Sequence, residues 1–489
     1  MTAPQPAPTP TGVRIAGDRY QWLLAWLECV VLLRDQQTGA PNPAVAVGVE
    51  VDDAGNVDDI VVYRFRPPHS YKQVKYAVDA TSPVNTAFVT APSQTGGPSI
   101  LAKLVSAWQK LTADGDPVEL ALVTNRAPDP DDDLVSKRDA RTRLLVPRGE
   151  GGGPGSKLGK ARMAWANAAG VGDEELLQLL RVLEFDLARD RQHVENLAQL
   201  TMLLAGLRDD DQALSLATDW IAGQVVAGAR TLTAEAIAAA VDELDLRAAA
   251  ARTIVSIATL QQDPLAAQAR HTLDWVDRFD GETSFDKRKP RPPSTWQELH
   301  DDIDALASAC HGDRSIAITG TLRLAPAFAV GAALRMVTNT DVAVVQRGQL
   351  WTSDAAYDAP ARPEVRETLI SQGADLAVAV AVAADPTDEV VDYLREADIP
   401  VDRLVVLSFG NGPRDNLVQS PGHACALAIG IRDEVRRWAR QHPRVHLFQA
   451  GPMGLALLLG HRWNRVAPTI VYEDLGHVGG YEPAFNIIA

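Results

Sequence analysis

RSIAITGTLRLAPAFAVGAAL (Arg314–Leu334) and RVHLFQAGPMGLALLLGHRW (Arg444–Trp463) follow one pattern, about 130 residues apart. Each opens on Arg and a five-residue apolar run, turns on a glycine (Gly320 or Gly451), and continues into an apolar helix that ends at Gly331 or Gly460. A second short run follows each, VAVVQ or TIVYE, and then an aromatic, Trp351 or Tyr481. Short apolar runs without alternation, spaced by helices, predict parallel strands buried on both faces. The last third is therefore expected to hold a duplicated strand–turn–helix–strand unit. In such sheets ligands bind beyond the carboxyl ends of the strands, where glycines admit a backbone and helix N-termini offer free N–H groups to phosphate.

Outward from this repeat, Trp296 to the end reads as alternating strands and helices, with strands at Ser315–Thr319, Val342–Gln346, Leu376–Val382, Leu404–Phe409, Val445–Gln449 and Thr469–Tyr472. KRKPRPPSTWQ (Lys287–Gln297) is basic and proline-rich and reads as a linker. Residues 173–280 contain a single proline, Pro264. The leucines at 176, 177, 179, 180, 183 and 187, with Leu232–Leu244 and Leu246–Leu260, predict helices there. Val13–Arg148 mixes a helix over Tyr20–Arg34 with strands at Ala44–Val51, Ile60–Phe65, Tyr71–Tyr76 and Val118–Thr124, and a helix at Ser99–Leu111. The expected organisation is a leader (1–12), an α/β region (13–160), a helical middle (161–286), a linker (287–294) and the C-terminal α/β region (295–489).

Bulk properties exclude several classes. A chain of 489 residues exceeds one ordinary core. No stretch of eighteen apolar residues occurs; the run Trp22–Leu33 contains Glu28 and is too short to span a bilayer, and MTAPQPAPTPTG reads as a floppy leader and not a signal peptide. Cys29, Cys310 and Cys425 form no CxxC pair, which fits a reducing cytoplasm. His193, His271 and His300 are scattered singly. The net charge of −16 argues against a nucleic-acid coat protein. A local basic stripe nevertheless runs through Lys137, Arg138, Arg141, Arg143, Arg148, Lys157, Lys160 and Arg162. GEGGGPGSK (Gly149–Lys157) lacks Walker spacing and reads as a mobile loop. DPDDD (Asp129–Asp133) lacks EF-hand spacing, and no GxSxG elbow occurs.

The repeat, with LVVLSFGNGPRDN and above all the HLFxAxPxxLAxxLG run from His446 to Gly460, resembles the SAVED domain over roughly 295–489. The resemblance implies two fused CARF-like, Rossmann-like halves that sense a cyclic oligonucleotide in bacterial anti-phage (CBASS) signalling. The ligand would be a di- to tetranucleotide, with a trinucleotide favoured. Loops after strands are then expected to line the pocket: Thr319, Gly320 and Thr321; Gln346 and Trp351; Phe409, Gly410 and Asn411; Ala450, Gly451 and Pro452; and Tyr472. Trp351 is the candidate to stack a base.

In VEVDDAGNVDDIVVYRFRPPHSYKQVKY (Val49–Tyr76), Gln73 and Lys75 stand two apart on one strand and share a face that can meet Asp59 across the sheet. The arrangement resembles a PD-(D/E)xK, restriction-endonuclease-like core with Gln in place of the usual acid. The Gly17…Tyr20-Gln21 helix resembles the opening of endonuclease domains fused to SAVED sensors. The resemblance implies a double-stranded DNA endonuclease in which Asp59, Gln73 and Glu50 hold Mg²⁺ (or Mn²⁺) and Lys75 acts on the phosphate or the attacking water. Glu28 is a further candidate ligand. It also implies self-assembly on ligand binding, no membrane association and a cytoplasmic location. The alternative is a sensor whose N-terminal domain is a catalytically inactive DNA-binding or scaffold module. A C-terminal region that degrades the signal finds no acid–base pair in the repeat's loops.

Overall fold

The computed structural model describes residues 9–488 apart from 53–56, 94–95, 146–148, 150, 337–339 and 477–478. Most of the expected leader (1–8), the middle of the DDAGNVDD turn, and Arg148 and Glu150 therefore lie outside the described residues. The chain divides into two compact units, Met1–Ala251 and Arg252–Ala489.

In chain order the first unit contains α1 (Pro10–Thr38), β1 (Ala44–Val49), β2 (Ile60–Arg64), β3 (His69–Lys75), α2 (Thr86–Thr90), α3 (Ile100–Leu111), β4 (Val118–Thr124), α4 (Lys157–Ala169), α5 (Asp173–Leu180), β5 (Leu183–Asp186), α6 (Arg191–Leu204), α7 (Asp211–Val226), β6 (Thr231–Thr233) and α8 (Ala234–Glu243). Its six-stranded sheet has the order β5-β4-β3-β2-β1-β6. β1, β2 and β3 form an antiparallel meander, and β3, β4 and β5 run parallel. One face packs on α1 and α6–α8, the other on α3–α5.

α1 starts ten residues before the expected Tyr20. Thr9 caps it by accepting from Gly12 N, Pro10 supplies a pre-set first turn, and Gly39 ends it in the left-handed region. Residues 10–12 of the expected leader are thus helical.

The second unit contains β7 (Thr253–Ala258), β8 (His271–Asp274), α9 (Trp296–Ala309), β9 (Ser315–Thr319), α10 (Leu324–Ala333), β10 (Asp341–Gln346), β11 (Gln349–Thr352), β12 (Glu364–Leu369), β13 (Asp375–Ala381), α11 (Thr387–Glu396), β14 (Val401–Ser408), α12 (Pro421–Ala439), β15 (Val445–Ala450), α13 (Met453–His461), β16 (Thr469–Asp474) and β17 (Tyr481–Ile487). Two sheets result, β11-β10-β9-β7-β8 and β12-β14-β13-β15-β16-β17. They match strand for strand: β9 with β15, β10 with β16, β7 with β13, β8 with β14, and the antiparallel edges β11 with β17. β12 is an addition to the second sheet. The duplication seen in two twenty-residue stretches therefore extends over both Rossmann-like halves and begins at Thr253.

This corrects the expected helical middle (161–286). Residues up to Ala251 complete the first unit, supplying both of its edge strands, and 252–286 open the second. TIVSIA (Thr253–Ala258) is apolar on every side, so periodicity alone does not separate a buried strand from a helix. Its pairing with β8 and β9 decides the matter. The expected linker is corrected as well. Lys287 is buried and donates to Gly281 O at 3.3 Å, Arg288 and Lys289 N–H groups bond Asp280 Oδ1, and Pro290 bridges to Phe279.

Helices α10 and α13 join the two halves. A Cβ on Gly331 would lie 2.0 Å from Leu457 O, and one on Gly460 would lie 2.1 Å from Phe328 O. The glycines expected to end these helices instead mark their crossing, and each stands three residues beyond the carbonyl that faces its partner. The N-termini are capped reciprocally. Glu473 of β16 accepts from Ala325 N at 2.8 Å, and Gln346 of β10 accepts from Gly454 N at 2.8 Å. Glu473 is also paired with Arg323 at 2.8 Å. At the other end, the His461 ring on α13 bonds Leu334 O beyond α10. Among the described residues no helix is long and apolar enough to cross a membrane.

Two outcomes follow from this crossing. Gly331→Val is expected to cost about 3 kcal/mol or more through overpacking, read as a lowered unfolding midpoint of the second unit. Gly223→Ala on α7, where a Cβ meets nothing within 4 Å, should instead stabilise by about 1 kcal/mol. The His461 pKa is pulled down to about 4 by burial. The unfolded chain therefore binds the extra proton below about pH 6.5. Stability should fall from there toward pH 4, losing about 3 kcal/mol. His461→Gln should remove that share of the acid sensitivity in denaturant titrations at pH 7 and pH 4.

Candidate functional site

In the first unit the pairing of β2 with β3 matches Ile60 to Lys72, which sets Asp59 beside Gln73 at the start of β2. The Gln73 amide donates to Asp59 Oδ2, Val74 N–H donates to the same oxygen at 2.6 Å, and Lys75 Nζ lies 3.8 Å away. Gln21 on α1 donates to the Asp59 carbonyl at 3.0 Å, tying the helix to this corner. Burial raises the Asp59 pKa, against the lowering effect of Lys75. Glu50 sits at φ 52°, and its N–H bonds the Asp59 carbonyl at 3.3 Å. Burial raises its pKa too; Arg230 opposes this, and Asp18, Asp59 and Asp58 add to it. The structure thus brings Asp59, Gln73 and Lys75 together with Glu50 alongside.

Glu28 does not join them. It forms a salt bridge with Lys72, whose side chain leaves β3 on the face opposite Gln73. Part of the expected basic stripe is paired. Arg143 meets Asp186 at 3.3 Å, Lys157 meets Asp133 at 2.6 Å, and Arg138 bonds Phe185 O. Arg162 is buried, pairs with Asp173 at 3.0 Å and donates to Gly149 O and Gly151 O. The glycine-rich loop, expected to be mobile, is held by that guanidinium.

In the second unit Ala450, Gly451 and Pro452 line a small apolar crevice at the carboxyl end of β13 and β15, with Leu324, Val380 and Leu455. The other expected residues have different surroundings. Thr319 is buried and donates to Asp263. Gly320, at φ 90°, lies against Ile257 O, where a Cβ would stand 2.2 Å away. Thr321 O accepts from Thr259 N at 3.0 Å. Gly410 and Asn411 are exposed, whereas Phe409 is in the core.

Trp351 is only 4% exposed and packs against Gly454, so its face is not open to a base. Tyr472 is buried, stacked on Phe448 at 4.4 Å, with its hydroxyl at 2.9 Å from His446 Nδ1. The helix N-termini expected to receive phosphate are filled by Glu473 and Gln346. Burial raises the Glu473 pKa, and Arg323 opposes the rise.

One residue passed over in the sequence stands out. Gln449, an unassigned position of the HLFxA run, lines the crevice, and its Nε2 is buried with no hydrogen-bond partner among the described residues. An unmet buried donor costs about 1–3 kcal/mol, which a ligand group accepting from it would recover. No sequence pattern marks it, because orphaning is a property of the folded surroundings.

Comparison with known proteins follows this division. The family model described as "SMODS-associated and fused to various effectors sensor domain" (SAVED) matches residues 299–487. CD-NTase-associated protein 4 of Enterobacter hormaechei subsp. hoffmannii (strain UCI 50) is 23% identical over 509 residues, covering 96% of this chain and 98% of its own length. The Acinetobacter baumannii Cap4 SAVED/CARF-domain containing receptor, solved with the cyclic trinucleotide 3′3′3′-cAAA, is 14% identical with a TM-score of 0.44, covering 99% of this chain and 100% of its own. The Moraxella osloensis Cap4 receptor is 14% identical with a TM-score of 0.40, covering 97% and 99%. The chain carries a SAVED domain over residues 299–487, within its second compact unit.

Proposed function

We propose that the chain is a CBASS anti-phage effector: its SAVED domain binds a cyclic oligonucleotide, and its first unit then hydrolyses double-stranded DNA with a divalent metal. The observation that carries the nuclease reading is the convergence of Asp59, Gln73 and Lys75 at one corner of a mixed sheet, in a chain that also carries a sensor domain. The ligand class rests on the resemblance of residues 299–487 to the SAVED sensor domain.

The residues at the corner fit Mg²⁺ or Mn²⁺. Burial raises the proton affinity of both Asp59 and Glu50, and the Asp59 charge adds to that of Glu50, a tension that a cation held there would relieve. Both carboxylates and the Gln73 amide oxygen would hold the ion. The amide must turn to do so, since its nitrogen now faces Asp59. The ion supplies positive charge to the phosphate oxygens under attack. Lys75, partly exposed beside Asp59, holds the phosphate or orients the attacking water. Val74 N–H and Gln21 fix the Asp59 side chain and backbone in place. With a net charge of −16 and its basic stripe partly paired, a single chain grips DNA weakly, and assembly on ligand binding would supply grip by multivalency. Such an effector works in the cytoplasm.

A second reading has its own observation. Gln73 donates to Asp59 where an acid would repel it, so the corner is stable without metal. That favours an inactive DNA-binding or scaffold unit.

Plasmid cleavage with Mg²⁺ and a panel of cyclic di-, tri- and tetranucleotides separates the two. Wild type should cut with one ligand class. Lys75→Ala should bind that ligand equally and lose at least about 100-fold in rate. Normal cutting by Lys75→Ala removes the assignment, and ligand binding without any cutting by wild type establishes the scaffold. Gln449→Leu should weaken ligand binding by about tenfold while raising thermal stability, because the orphaned donor is gone. Unchanged affinity in calorimetry excludes Gln449 from the ligand site.

A further inference from the structure

The other end of the first Rossmann-like half holds a cluster that the sensor and nuclease readings do not use. His271 is the first residue of β8, Cys310 follows the last turn of α9, and Asp313 lies two residues before β9. The parallel pairing of β7 with both β8 and β9 brings their starts together. One ligand atom from each residue lies within 4.8 Å of the others. The turn that carries two of them is closed by Asp313 N–H donating to Cys310 O at 3.0 Å.

We propose that His271, Cys310 and Asp313 bind one borderline divalent cation of the zinc class. The donor set is one imidazole nitrogen, one sulfur and one carboxylate oxygen, which suits a tetrahedral ion whose fourth position is left to water. The carboxylate is oriented from outside. Arg270 donates to Asp313 Oδ1 at 2.6 Å and Thr253 to the same oxygen at 3.4 Å, and neither bond uses Oδ2. Hydrogen-bonded carboxylates of this kind are what support metal ligands. Neither the His271 ring nor the Cys310 thiol has a hydrogen-bond partner among the described residues, although both face a carboxylate. A shared ion would take the three atoms at ligating distances of about 2.0–2.3 Å.

Binding exchanges the Cys310 S–H bond for an S–metal bond and releases one proton to solvent; the imidazole binds neutral and the carboxylate ionised. Burial holds the thiol proton until then, with its pKa pushed up to about 11. The ion clasps the end of α9 to the starts of β8 and β9. This edge is opposite the carboxyl ends of the strands, so the clasp acts on the fold of the half and not on the crevice.

The test is titration of the chelator-stripped full chain with Co²⁺, followed by displacement with Zn²⁺. The expected result is a thiolate-to-cobalt charge-transfer band that saturates at one equivalent, disappears with Zn²⁺ and is accompanied by release of one proton. Cys310→Ser should abolish the band. His271→Ala, at a partly exposed position, should weaken Co²⁺ binding by at least about tenfold. The corner at Asp59 has no sulfur and cannot give this band, so failure of the nuclease reading leaves the result unaffected. Absence of the band in wild type overturns the proposal. So does its persistence in Cys310→Ser, where the buried Cys29 and Cys425 are the remaining thiols.

Discussion

Helices α10 and α13 approach until a glycine on each rests against the backbone of the other, and the architecture of the second unit is built around that crossing. Without side chains at Gly331 and Gly460 the carbonyls of Leu457 and Phe328 come within van der Waals range of the opposing helix. Such close approach gathers many weak dispersion contacts and admits Cα–H···O contacts along the seam. It also places each helix N-terminus under the last parallel strand of the other half, so that Glu473 and Gln346 serve as exchanged caps. Neither half satisfies its own helix, and the two fold as one body for that reason.

The exchanged caps change how a ligand can be read. Free helix N-termini make a general anion site, but here both are met from within the chain. Gln449 Nε2 in the crevice is a group that the fold leaves unmet. Asp59 plays the organising part in the first unit. It gathers Gln73, Val74 N–H and Lys75 around one carboxyl group, while Gln21 holds its backbone carbonyl. A partly buried carboxylate with these donors is stable without metal.

Where the sequence misled, the reason was periodicity. Thr253–Ala258 is buried on all sides, so its apolar pattern has no period, and the preceding alanines favoured a helix. β5 and β6, with four and three residues, are too short to show alternation between strong helices. The proline-rich segment after Lys287 has the composition of a linker, yet Asp280 and the carbonyls around Val276 and Gly281 hold it in place. Composition reports what a segment does in isolation, and contacts from distant residues decided each of these cases.

The sequence by itself determined the parallel α/β character of the last third, its duplication, the SAVED resemblance, and the juxtaposition of Asp59 with Gln73 and Lys75. All of these follow from local patterns or from the two-residue repeat of a strand. Only the tertiary structure decided that the duplication begins at Thr253, that Trp351 and Tyr472 are buried, that Glu28 belongs to Lys72, and that Arg143, Lys157 and Arg162 of the basic stripe are paired. It alone gathered His271, Cys310 and Asp313. Those outcomes depend on which surfaces meet, and two residues far apart in the chain carry no mark of their meeting until the strands between them are ordered.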